Sequence, residues 1–116
     1  METTPQSHRM ERINELIRTI LAKKIPDILM LPPTIVVTVL RVQTSRDLGH
    51  AKVFVSVFPD GERENMLNQL KGRAGDLRHE LSESMAAFRV PQLRFVEDPT
   101  EKHARHIENL LDSISS

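Results

Sequence analysis

The sequence predicts an α+β domain in which helices cover one face of a three-stranded sheet. Three observations carry the prediction. Apolar residues recur at helical spacing near the N-terminus and alternate at period two in the middle. They then return to helical spacing before one last short apolar run. The 116 residues suffice for one domain and leave little for a second.

The elements follow in order. Residues 1–8 are polar and are expected to be a disordered lead-in. Ile13, Leu16, Ile17, Ile20 and Leu21 then form the stripe of an amphipathic helix, which Pro26 is expected to end or break. Pro32 and Pro33 keep the next loop extended. Residues 34–43 are rich in β-branched side chains and read as a strand. Residues 45–49 supply turn residues, and Ala51, Val53, Val55 and Val57 then alternate with Lys52, Phe54, Ser56 and Phe58. A short connection between two such runs predicts an antiparallel hairpin.

Pro59, Asp60 and Gly61 mark a second turn, with Asp60 a candidate helix cap. From Arg63 to Phe88, Leu67, Leu70, Ala74, Leu77, Leu81, Met85 and Phe88 step by three or four. Gly72 and Gly75 lie inside this pattern. Each costs about 1 kcal/mol relative to alanine in a helix interior. The pair therefore marks either a kink or a turn between two helices. Val90 and Pro91 are expected to close the helix. Leu93, Phe95 and Val96 suggest a third strand, and Ile107, Leu110, Leu111 and Ile114 a short amphipathic helix in the tail. The expected organisation is a domain over 9–98 and an acidic, partly helical tail over 99–116.

Composition narrows the function. There is no cysteine, hence no disulfide framework and no thiolate metal site. No apolar run approaches the roughly 20 residues of a bilayer span, and the N-terminal stretch lacks the apolar core of a secretory signal. A cytoplasmic protein without membrane attachment is expected. Net charge is zero, but residues 1–52 carry 8 Lys/Arg against 5 Asp/Glu, whereas residues 53–116 carry 8 against 11. That asymmetry is compatible with one basic surface and an acidic tail, although charge alone favours an ordinary mixed surface. With four Phe and no Trp or Tyr, base stacking is a poor mode of recognition, so nucleic-acid contact should be mainly to backbone.

No phosphate-binding P-loop, nucleophile elbow or dinucleotide fingerprint is present. Ser45, Asp47 and His50 superficially suggest a catalytic triad, but all three belong to one hairpin turn, whose chemistry explains them better. His103 and His106 with Glu101 could be read as a metal site, but such a site needs three or four ligands in a fixed geometry, and this segment is expected to be a mobile tail. Neither catalysis nor a cofactor is expected.

The predicted order of helix, strand, strand, helix, helix, strand resembles a type II KH domain. Within that class, residues 45–55 (SRDLGHAKVFV) are similar to a Ser-Arg-Asp-Leu turn leading into Ala-Lys-Val, the hairpin signature of the ribosome-binding factor A family. Residues 89–98 (RVPQLRFVED) resemble that family's third-strand signature. Thr38 and Val39 ahead of Val42 match its first strand, and Ile107, Leu110 and Leu111 its tail. The resemblance covers about residues 9–112. It implies a non-enzymatic factor that binds the free 30S small ribosomal subunit and assists late folding and processing of 16S rRNA, chiefly in the cold. The sequence offers no strong sign of oligomerisation, so a monomer is expected.

KH domains carry Gly-x-x-Gly between two helices, where backbone approaches nucleic-acid phosphates closely. The resembled family usually has an Ala-x-Gly kink instead. Here the segment is Gly72-Arg73-Ala74-Gly75, so it reads either as a phosphate-contacting turn or as a kink without RNA contact. The candidate RNA-binding residues are Gly72, Arg73 and Gly75, flanked by Lys71 and Arg78. Arg46 in the hairpin turn and Arg9, Arg12, Lys23 and Lys24 on the first helix complete the set. The competing class is a protein-interaction module that docks on a ribosomal protein or another assembly factor. An amphipathic tail and zero net charge would suit it.

Overall fold

The structure is a computed structural model that describes residues 5–85, 88–98 and 110–111, with side chains from residue 8 onward. Helix α1 spans Pro5–Ile28, β1 Val36–Thr44 and β2 His50–Phe58. A short 3-10 turn at Asp60–Glu62 leads into α2 (Arg63–Gly72), α3 (Ala74–Ser84) and β3 (Gln92–Glu97).

Ile13, Ile17 and Leu21 of the predicted stripe face the core, while Ile20 is half-buried and Leu16 is exposed. Ile25 is buried as well. The helix begins at Pro5, earlier than expected, and takes in the end of the presumed lead-in. Pro26 does not end it. What stops α1 is a Schellman closure, in which the Leu31 N–H donates to the Pro26 carbonyl at 3.0 Å and the Met30 N–H to the Asp27 carbonyl at 3.2 Å. Met30 takes the left-handed conformation this requires, with φ 52°. Pro26 lacks an N–H for the helix, but it lies within the last turn. Ile25 beside it stays fully buried, and that packing holds the turn in place.

The sheet order is β1-β2-β3. β1 and β2 form the predicted antiparallel hairpin, with a one-residue irregularity between Val39 and Arg41. That slip lets both Val39 and Val42 face the core, because the extra residue shifts the alternation. β3 runs parallel to the central β2, pairing His50 with Gln92 and Val53 with Phe95. The helix pair α2–α3 is the crossover that a parallel connection needs.

The long apolar pattern after Arg63 is two helices. α2 ends at Gly72 and α3 at Ser84, short of the Val90-Pro91 stop expected from sequence. Asp60 is not the cap of α2, whose N-cap is Glu62 without a side-chain bond. One core joins Leu70, Leu77 and Leu81 from these helices to the α1 stripe and to Val39, Val42, Ala51, Val53, Val55 and Phe95 of the sheet. All three helices therefore pack on one sheet face. Of the tail, only Leu110 and Leu111 are described. Both are helical and exposed, and the rest of the expected tail helix lies outside the described residues.

Candidate RNA-binding surface

The Gly72–Gly75 segment is a turn between helices and not a kink within one. Arg73 alone leaves helical geometry, with φ −106° and ψ 13°, and serves as C-cap of α2 and N-cap of α3. Its N–H donates to the Gln69 carbonyl at 2.9 Å, and its carbonyl accepts the Leu77 N–H at 3.0 Å. Leu70 and Leu77, both fully buried, pin the turn from either side. Helix geometry leaves the first N–H groups of α3 without intrahelical acceptors, and no side chain caps them.

The two glycines are not needed by the protein's own fold. Neither has positive φ, and a Cβ added at either would meet no atom within 4 Å. Both positions are exposed. A glycine required neither by backbone conformation nor by internal packing leaves room for something outside the chain to approach the backbone.

The basic candidates divide into engaged and unengaged groups. Arg73 Nε lies 2.6 Å from Asp76 Oδ2, so a phosphate at this turn competes with that carboxylate. Arg78 donates to the Val90 carbonyl at 3.1 Å and ties α3 to the approach to β3. Lys24 bridges to Glu80 at 3.4 Å and links α1 to α3. Arg9 lies over the Phe88 ring at 6.0 Å. Arg12, Lys23, Lys71 and Arg46 are exposed. Arg12 and Lys23 are about three turns apart on α1, hence on one face but separated by about 16 Å. The structure does not gather the ten candidates into one cluster. Those on α1, Lys71, Arg73 and Arg78 share the helical layer, whereas Arg46 sits in the hairpin turn.

That hairpin turn is built from the predicted residues, used internally. Ser45 Oγ donates to Asp47 Oδ1 at 2.8 Å and accepts the His50 N–H at 3.0 Å, while the Gly49 N–H donates to Asp47 Oδ1 at 2.9 Å. The Gly49 N–H, then the Ser45 hydroxyl, hold the Asp47 carboxyl below the usual carboxylate range. The turn also holds β3, because the Gln92 N–H donates to the Gly49 carbonyl at 2.9 Å and Arg89 Nη1 to the Asp47 carbonyl at 3.3 Å. The supposed triad is thus a structural turn.

Sequence reading passed over Lys52 and Arg94. Their alternation with buried neighbours was legible, but their adjacency depends on the parallel register of β3, where they are direct partners. Among the described residues no helix is long and apolar enough to cross a membrane, and no group of three metal-ligating side chains occurs. The His103–His106 pair lies outside the described residues.

A helix, an antiparallel hairpin and a helix–turn–helix that returns a third strand parallel to the centre define a KH-like domain of the type II order. The family model described as Ribosome-binding factor A matches residues 9–111, and the chain belongs to that family. Ribosome-binding factor A of Clostridium perfringens is 38% identical over 113 residues, covering 91% of this chain and 94% of its own. That of Chromobacterium violaceum is 34% identical over 107 residues, covering 92% and 78%. Among solved structures, a Thermotoga maritima protein determined by solution NMR aligns with TM-score 0.68 at 25% identity over 84% of this chain and 92% of that one. A homology model of Thermus thermophilus ribosome-binding factor A, as fitted into the cryo-EM map of a complex of 30S with that factor, aligns with TM-score 0.61 at 25% identity, over 72% and 88%.

Proposed function

We propose that this protein is a non-enzymatic assembly factor of the cytoplasm, acting as a monomer. It binds the free 30S subunit through 16S rRNA and assists late maturation of that RNA, with its largest effect in the cold. The observation that carries this reading is the glycine pair on either side of the α2–α3 turn, whose Cβ positions face open space. Family membership supports the ribosomal target, as does the Thermus thermophilus relative fitted to a 30S complex.

In this reading residues 9–98 are the binding unit and 99–116 an acidic tail. The backbone of RNA lies against Gly72 and Gly75. Free N–H groups of α3 and the charges of Lys71 and Arg73 face its phosphates. Arg78 contributes by holding α3 in place. Arg46, Arg9, Arg12, Lys23 and Lys24 add longer-range attraction. The protein then favours one local RNA fold by the difference in its affinity for the competing folds, with no covalent step.

The test is co-sedimentation with purified 30S, 50S and 70S particles at two salt concentrations. The protein should migrate with 30S alone and leave it as salt rises, since each phosphate contact adds about −0.7 to the logarithmic salt slope. Lys71→Glu/Arg73→Glu should abolish migration. Retention of that variant on 30S, together with loss on deletion of 99–116, would instead identify a protein-docking module. Absence of the wild type from every particle would overturn the ribosomal reading.

A further inference from the structure

The sheet face opposite the helices carries a basic site that the helical turn does not account for. β1, β2 and β3 bring Gln43, Lys52 and Arg94 into one row across the sheet, with Gln43 paired to Lys52 and Lys52 to Arg94. Adjacent strands lie about 4.8 Å apart. Two like charges placed side by side at that spacing destabilise a sheet. No carboxylate is among the residues that line the surrounding pocket, an open hollow of about 450 Å³ formed by these three with Ser45, His50 and Gln92 as its other polar residues. The Asp47 carboxylate in the adjoining turn is already engaged by Ser45 and Gly49.

The remainder of the same face behaves differently. Arg41 stacks on the Phe54 ring at 4.1 Å and reaches Asp98 at 3.4 Å, so its charge is answered within the fold. At the far end, Val36 pairs with Phe58, and both are more than half exposed. Unanswered positive charge is therefore confined to the hairpin end, where two side-chain amides flank it.

From this juxtaposition we infer that Lys52 and Arg94, with Gln43 and Gln92 beside them, form a second RNA-backbone site on the open sheet face. The inference rests on the RNA-binding reading above. Unanswered cations next to amide donors match phosphate oxygens, which accept from both. Because the Gly72–Gly75 turn belongs to the helical layer and this row to the opposite face, the domain sits between two RNA segments and does not lie on one.

The experiment measures affinity for purified free 30S subunits between 50 and 200 mM salt, for the wild type, Lys52→Ala/Arg94→Ala and the charge-preserving Lys52→Arg/Arg94→Lys. The alanine pair should bind more weakly, with a salt slope shallower by about 1.4. Its affinity deficit should therefore narrow about sevenfold across that salt range. The charge-preserving pair should match the wild type. A wild type that binds 30S with an alanine pair of equal affinity and slope overturns this site and leaves the proposed function standing. Weaker binding with an unchanged slope also overturns it, since the occupant is then not a polyphosphate backbone. A wild type that fails to bind 30S removes both.

Discussion

The two turns of the molecule, at residues 45–49 and 72–75, differ in what they do with their polar groups. In the first, Ser45, Asp47 and Gly49 are bonded to one another and to His50, Arg89 and Gln92. An alanine methyl at Gly49 would come within 3.1 Å of Asp47 Oδ1. In the second, a methyl added at either glycine would meet open space, and the flanking helices supply the rigidity. A turn whose groups are spent internally explains itself by folding. A turn held only from its flanks keeps its backbone free for a ligand.

The contrast is most sharply broken by removing a flank. Leu70→Ala should cost about 2–5 kcal/mol of stability, because a fully buried leucine leaves a cavity. Urea unfolding would show it, and the variant should lose 30S binding as the turn loosens. Ser45→Ala removes the acceptor of the His50 N–H and should cost about 1 kcal/mol. Urea unfolding would show this loss as well. Gly72→Ala and Gly75→Ala should move the two readouts in opposite directions. Each should raise stability by up to about 1 kcal/mol, while the pair together weakens binding. Unchanged binding would mean that the turn's openness has no use. The smallest effect is that of Asp47→Ala. The folded carboxyl is held below its ordinary range, so its contribution is present at neutral pH and disappears as pH falls through that depressed value. The stability gap between wild type and variant should therefore close on acidification, which urea titrations at a series of pH values would reveal.

Much of this architecture was legible from local pattern. The α1 stripe and the β2 alternation are periodicities that burial enforces directly, and the structure keeps both except at Leu16, which the stripe includes and the fold leaves exposed. Pro26 misled because a local rule about proline competes with packing by Ile25, which sequence spacing alone does not weigh. The alternation puts Phe54 on the face of Lys52 and Phe58, yet it is buried. Arg41, its partner across the hairpin register, stacks on it, a cover that sequence spacing does not reveal. The glycine pair was visible in the sequence. That it opens outward was not, because a kink and a turn share the same spacing. Lys52 and Arg94 were separated by the whole helix pair in sequence, and only the parallel register makes them neighbours.

That register also has a consequence for the order in which protection against solvent exchange is lost. The hairpin closes over a five-residue connection, whereas pairing of β3 to β2 must close a loop containing both α2 and α3. Longer closures carry a larger entropic cost, and β3 has one bonded neighbour where β2 has two. Amide hydrogens of β3 should therefore exchange with deuterium ahead of those in β2. The edge that carries Arg94 would then be the part of the sheet most readily reshaped by whatever binds there.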